Sequence, residues 1–324
     1  MRYLKSKIVL ISPATAKANN GNWHTAHRWA KFLSDDCDIA VLQDWNTADI
    51  DSDAMIALHA RRSAPSIHAW AAQHPGKPLI VVLTGTDLYR DIQFDAAAQT
   101  SLRLATHLVV LQEAGLAALP AGLRAKARVI FQSTSRLVPA VKSARRLTAV
   151  MVGHLRDEKD PRTFMKAARL CDSKTVHFEQ IGDGLDAQLA CVAKKTALEQ
   201  THYRWLGGLP RAATRQRIKH AHVLVNASVI EGGAHVILEA VQSGTPVLAS
   251  HISGNVGMLG ADYAGYFEVG DALALTALLK RCATEPAFLA HLQSQCAQRA
   301  ELFEPALEKR LVLNLVNSAL KEPS

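Results

Sequence analysis

Val223-Leu224-Val225-Asn226-Ala227-Ser228-Val229-Ile230-Glu231-Gly232-Gly233-Ala234-His235-Val236-Ile237-Leu238-Glu239-Ala240-Val241-Gln242-Ser243-Gly244-Thr245-Pro246-Val247-Leu248-Ala249-Ser250 contains two short, continuously apolar runs, Val223–Asn226 and Pro246–Ser250. Runs of this kind suit strands buried on both faces of a parallel sheet. Between them a glycine loop carries Glu231 and opens a helix, and Glu239 lies a turn or more into that helix.

The same rhythm extends in both directions. Apolar runs recur at Lys7–Ser12, Asp38–Leu42, Ala54–Leu58, Leu79–Thr84, His107–Leu111, Arg128–Gln132, Ala149–Gly153, Val176–Ile181 and Tyr203–Leu206. Stretches with helical spacing, such as Trp23–Leu33, Pro161–Leu170 and Ala212–His220, separate them. Strands alternating with helices predict an α/β fold with crossovers on both faces of each sheet. The rhythm breaks at Ser133–Arg146, around Pro139, so we expect a doubly wound domain over 1–138, a linker over 139–146 and a second doubly wound domain over 147–303. After Asp271 the chain reads as helices (Ala272–Arg281, Pro286–Arg299, Pro305–Leu320), with 304–324 as a C-terminal helix closing the fold.

Composition narrows the function. With 324 residues the chain has room for two cores, and 48% hydrophobic against 20% charged residues excludes a disordered chain. Lys and Arg number 37 against 29 acidic residues, a net charge of 37 − 29 = +8, but they occur in ones and twos. With aromatics at only 6%, this charge favours phosphorylated small molecules over nucleic acid. No apolar run approaches the roughly 20 residues of a bilayer span. Ile8–Ile11 is too short for a signal-peptide core. Five well-separated cysteines without a C-x-x-C pair read as thiols in a reducing cytoplasm.

In such folds ligands sit beyond the carboxyl ends of the strands. Asn19-Asn20-Gly21-Asn22 runs into the first helix near Trp23, either as an anion site or as an ordinary turn. Thr84-Gly85-Thr86-Asp87, Ile181-Gly182-Asp183-Gly184 and Leu206-Gly207-Gly208 follow other strands, and glycines there are commonplace singly. The loop with Glu231 is more informative. Gly232, Gly233 and Ala234 can offer N–H groups to a diphosphate at the helix start, while Glu231 and Glu239 accept hydrogen bonds from hydroxyls on either side. The bland alternative is a helix-capping Glu231 and a solvent-facing Glu239. His220-Ala221-His222 has no third ligand nearby in sequence and reads as structural rather than as a metal site.

Together, Ser228-x-x-Glu231-Gly232, Leu238-Glu239-Ala240 and Gly244-Thr245-Pro246-Val247-Leu248-Ala249-Ser250 resemble the nucleotide-sugar site of glycosyltransferase family 4. Val152-Gly153-His154-Leu155-Arg156-Asp157-Glu158-Lys159, Ile181-Gly182-Asp183-Gly184 and Leu206-Gly207-Gly208 resemble it in the same order. The resemblance implies a GT-B fold, two Rossmann-like domains facing each other across a cleft, with a UDP-sugar as donor substrate and no essential metal or other cofactor. It also implies that Glu231 holds the transferred sugar, Glu239 the ribose, and Lys159 the departing diphosphate, with Gly21, Gly182, Gly232, Gly233 and Ala234 lining the donor. The chain departs from the pattern at His154, where the family usually has arginine, so Arg156 is the candidate for the missing charge. It departs again at Thr84, where a histidine is common.

Thr84 cannot take a proton as an imidazole can, which favours an acceptor that arrives already anionic. The whole chain is similar to the selenosugar synthases of selenoneine biosynthesis through Ser12-Pro13, Asn20-Gly21-Asn22-Trp23, Leu58-His59-Ala60-Arg61-Arg62-Ser63, Leu83-Thr84-Gly85-Thr86-Asp87-Leu88-Tyr89 and Gln132-Ser133. That resemblance implies transfer from UDP-N-acetylglucosamine or UDP-glucose to selenophosphate. Asn20, Gly21, Asn22, His24, Arg61, Arg62, Thr84, Gly85 and Thr86 are then the acceptor candidates, with each arginine equally readable as surface, and Arg28, inside a helix, as solvated. The rival readings are an O-glycoside-forming enzyme of the same family acting on a sugar or lipid, a nucleotide-sugar sensor without turnover, and, last, a nucleic-acid binder. Oligomeric state leaves no mark in the sequence.

Overall fold

The structure, a computed structural model, describes residues 5–14, 21–45, 51–143, 145–171 and 175–321. The chain divides into two compact units, Met1–Gln132 with Pro305–Ser324, and Ser133–Glu304. The first unit contains β1 (Ser6–Ile11), α1 (Gly21–Leu33), β2 (Cys37–Leu42), β3 (Ala54–Leu58), α2 (Ala64–Gln73), β4 (Leu79–Leu83), α3 (Ile92–Phe94), α4 (Ala96–Leu104), β5 (His107–Val110), α5 (Gly115–Ala118) and β6 (Ala127–Val129). Its strands are all parallel, in the order β2-β1-β3-β4-β5-β6. Every residue of β3, β4 and β5 is buried, which is why these strands read as unbroken apolar runs. One face packs Val9, Ile11, Met55 and Val81 against Trp70 of α2 and Leu102 of α4.

The second unit contains β7 (Leu147–Val152), α6 (Pro161–Leu170), β8 (Val176–Ile181), α7 (Ala187–Glu199), β9 (Tyr203–Trp205), α8 (Arg211–His220), β10 (Val223–Asn226), α9 (His235–Val241), β11 (Val247–Ser250), α10 (Ser253–Leu259), β12 (Tyr266–Phe267), α11 (Ala272–Thr284) and α12 (Pro286–Gln298). Its sheet is also all parallel, in the order β12-β11-β10-β7-β8-β9. The winding runs one way from β7 and the other way from β10, so the topological switch point lies between these two strands. Doubly wound sheets bind ligands at that point, outside the carboxyl ends of the strands.

Three expectations need correction. Helix α13 (Pro305–Lys321) is part of the first unit, where Val312, Leu315 and Val316 join Ile8, Leu10 and Trp29 in the second face of its core. Its Glu308 is buried, and accepts from Arg28 Nε at 2.7 Å, Arg28 Nη2 at 3.0 Å and Trp29 Nε1 at 2.8 Å. Arg28, which its place in a helix assigns to solvent, is thus one arm of a two-pronged buried ion pair. The third correction concerns the linker. The unit boundary falls after Gln132, and the following segment is tied to the second unit by Leu137 N–H to Gln242 O at 2.8 Å and by Lys142 Nζ to Thr245 Oγ1 at 3.0 Å.

Candidate active site

At the switch point of the second unit, the loops after β7 and β8 touch backbone to backbone. A Cβ on Gly182 would lie 2.0 Å from Gly153 O and 2.8 Å from His154 N, so no larger residue fits. The glycine makes room for the neighbouring loop, where the sequence reading has it making room for a ligand. Asp183 donates its N–H to His154 Nδ1 at 3.1 Å. In the neutral ring the proton then sits on Nε2, leaving a donor of the kind an anion uses. Arg156 is exposed, one residue before the turn Asp157–Lys159.

That turn meets the loop after β10, with Val229 N–H donating to Glu158 O at 2.9 Å. A buried polar network fixes the loop: Ser228 Oγ donates to Asn226 Oδ1 at 2.7 Å, Asn226 Nδ2 to Asn255 Oδ1 at 3.0 Å, and Asn255 Nδ2 to Ser250 O at 2.9 Å. Gly254, in the first turn of α10, admits the Glu231 backbone, since a Cβ there would lie 2.0 Å from Glu231 O. The result is a close ion pair of Lys159 Nζ with Glu231 Oε1, an oxygen that, from 2.6 Å, shares the single Ser228 hydroxyl proton with Asn226 Oδ1. The two side chains are 17% and 10% exposed, so their charges act with little screening by water. Glu231 is not a helix cap: Gly232 and Gly233 lead to Ala234, the residue preceding α9, and that helix start has no side-chain cap.

Glu239 is 4% exposed rather than solvent-facing. Its Oε1 lies 3.1 Å from Arg211 Nε, at the start of α8, and 3.3 Å from His235 Nδ1, at the start of α9. Burial pushes the carboxyl up, but His235 and Arg211 more than reverse this and hold it below the usual carboxylate range.

In the first unit the loops after β3 and β4 are joined by side chains. His59 is buried with a left-handed backbone, φ 72°, a strain of order 1–3 kcal/mol that the surroundings must hold. Its Nδ1 accepts from Arg62 N–H at 3.2 Å, so the neutral ring carries its proton on Nε2, 3.1 Å from Thr86 Oγ1. Burial lowers its pKa, and Asp87 and Asp91 offset only part of that. Asp87 Oδ1 accepts from Thr84 N and Gly85 N, each at 2.8 Å, and its Oδ2 from Ala60 N at 3.0 Å. Thr84 and Gly85, two of the acceptor candidates, therefore have their amides taken by Asp87. Asp91 holds Arg61 at 2.9 Å and Arg90 at 3.1 Å, whereas Arg62 is exposed. Gly21, Asn22 and His24 form the first turn of α1, which starts two residues earlier than its apolar spacing indicates. Asn19 and Asn20 lie outside the described residues. His59 is not among the candidates from sequence, although it directly follows β3, at the end of a strand where such folds put ligands.

His222 Nδ1 accepts from Thr148 N–H at 2.9 Å and its Nε2 faces Ser143 O at 2.8 Å, so both ring nitrogens are engaged in structure. Among the described residues no group of three or more His, Cys, Asp or Glu is placed to hold a metal ion, and no helix is long and apolar enough to cross a membrane.

Residues 138–302 match the family described as Glycosyl transferases group 1. HepE of Anabaena, solved in complex with UDP and glucose, is 16% identical, with a TM-score of 0.75 over 97% of this chain and 100% of that one. Sucrose-phosphate synthase of Thermosynechococcus elongatus is 16% identical, with a TM-score of 0.78 over 97% of this chain and 99% of that one. A glycosyltransferase of Rickettsia africae is 14% identical, with a TM-score of 0.73 over 99% of this chain and 100% of that one. With its two parallel six-stranded sheets, the chain has the GT-B fold of these proteins.

Proposed function

The chain belongs to the group 1 glycosyl transferases, and we propose that it moves the sugar of a UDP-sugar, UDP-N-acetylglucosamine or UDP-glucose, onto selenophosphate. The products are a 1-selenosugar, UDP and phosphate. Selenium bonds to the anomeric carbon while the bond from that carbon to the diphosphate oxygen breaks, its electron pair leaving with UDP. Water then cleaves the P–Se bond of the adduct and releases phosphate.

The observation that carries the transferase reading is the Lys159–Glu231 pair at the switch point. Lys159 is an ammonium with three donors, and one contact to Glu231 leaves others for the negative charge developing on the diphosphate. Glu231, oriented by its contacts with Lys159 and Ser228, accepts from sugar hydroxyls. Glu239 accepts from the ribose, and the UDP held by HepE supports a uridine donor. Fixed cations and amides supply the stabilisation that a metal supplies elsewhere, so the reaction proceeds without one. For the acceptor, the His59 imidazole supports an anion: its one lone pair is taken by Arg62 N–H, so it is not free to act as a base. Arg61 and Arg62 then attract the selenophosphate charge, and free thiols fit a reducing cytoplasm as the compartment.

UDP release from each UDP-sugar, with selenophosphate and with phosphate as control, tests both halves of the proposal. Release only with selenophosphate, accompanied by a selenium-bearing sugar in the mass spectrum, is expected, and Glu231→Gln should slow it by about 10³-fold. Release with sugar or lipid acceptors instead would overturn the acceptor, and release undiminished in Glu231→Gln would overturn the site.

A further inference from the structure

Glu239 is a buried carboxylate met by an arginine and a histidine from two different helices. Arg211 Nε of α8 and His235 Nδ1 of α9 approach the same oxygen, Oε1, at 3.1 and 3.3 Å. Arg215, one turn further along α8, adds its field at Glu239 while its Nη1 donates to Ser135 Oγ at 3.1 Å. A carboxylate gripped this way has one rotamer and one charge state to offer. We infer that Arg211 and His235 are positioning residues that fix the Glu239 carboxylate to receive the ribose hydroxyls of a nucleoside diphosphate sugar. The inference rests on the proposed donor site.

The two contacts have different consequences. The side chain of Arg211 is 42% exposed and always charged, so it holds Glu239 across the whole working pH range. His235 is 18% exposed and adds a full charge only when protonated. Together they oppose the burial that would otherwise protonate Glu239 in acid. A protonated Glu239 would present a donor where the ribose needs an acceptor.

Calorimetric binding of UDP alone, without acceptor, at pH 7 and pH 5 tests this. Arg211→Ala should weaken UDP binding by about 10-fold at pH 7, within the usual size of a lost charge-assisted hydrogen bond. The deficit relative to wild type should grow at pH 5, because Glu239 then protonates more readily. Comparing each variant with wild type at the same pH cancels the ionisation of UDP itself. Arg211→Lys should recover most of the loss, and His235→Leu, which removes the second contact to Oε1, should weaken UDP binding as well. Unchanged or tighter binding in Arg211→Ala, with Glu239→Gln weakened, would overturn the inference by making Arg211 a bystander or a competitor of the ribose. Undiminished binding in Glu239→Gln would overturn it by removing Glu239 from the site. No binding of UDP by wild type would instead overturn the proposed donor.

Discussion

In the second unit the loops after β7 and β8 meet backbone to backbone through Gly182 against Gly153, and the loop after β10 meets the first turn of α10 through Glu231 against Gly254. In the first unit the loops after β3 and β4 meet through side chains: Asp87 gathers the amides of Ala60, Thr84 and Gly85, and His59 reaches Thr86. Both constructions stand at the carboxyl ends of parallel strands, yet they leave different traces. A backbone contact admits only glycine, so it fixes residue type and spacing in the chain. A side-chain cluster can be built from many residue combinations and fixes neither. The family match accordingly covers residues 138–302, essentially the second unit.

Glu308→Ala strikes the first unit hardest. It leaves the Arg28 guanidinium and Trp29 Nε1 without their shared acceptor in a buried place, a loss of about 3–5 kcal/mol. Hydrogen exchange should accelerate in β1, α1 and α13 while β7–β11 stay protected. Equal acceleration throughout would mean that the two units do not differ in what holds them. Gly182→Ala should cost the second unit about 3 kcal/mol, since its Cβ would sit 2.0 Å from a carbonyl oxygen of the next loop. Gly207→Ala is the control: its φ is +67° but a Cβ there meets nothing within 4 Å, so only the conformational penalty of about 1 kcal/mol remains. Similar losses in the two variants, read from urea midpoints, would show that backbone conformation rather than close contact makes Gly182 necessary.

Most of the framework is legible in sequence because buried parallel strands read as apolar runs. Ala54–Leu58, Val176–Ile181 and Val223–Asn226 have the same bounds in sequence and structure. Strand β12 was missed because two residues, Tyr266–Phe267, are too few to form a run. The pairing of Arg28 with Glu308 links positions 280 residues apart, beyond any local pattern. At the candidate site, Glu231 stands out in the sequence through the glycines that follow it, and Lys159 only through the family resemblance. The cluster at His59 did not, since nothing in its residue types announces a left-handed backbone or an aspartate collecting three amides. Arg211 escaped notice for the same reason, being distinguished only by the carboxylate that it reaches in space.

Acid gives the most discriminating comparison. His177 on β8 is held down to about 4, first by burial and then by the charges of Arg146 and Arg204 and by His202. In the unfolded chain it returns to about 6.5, so below that pH the unfolded state binds a proton that the folded state refuses. The stabilisation is present above the unfolded value and is lost as pH falls towards the folded one. Between pH 7 and pH 5 the loss should be about 2 kcal/mol, and His177→Leu should remove it. His59 carries the same sign in the first unit, its pKa lowered by burial, so the acid sensitivity that survives in His177→Leu should appear in hydrogen exchange of β3 and β4 and not of β7 and β8. An unchanged pH slope of the urea midpoint in His177→Leu would mean that the imidazole gains water or a proton inside the fold. A burial contrast between the strands of the two sheets would then no longer account for how each unit meets acid.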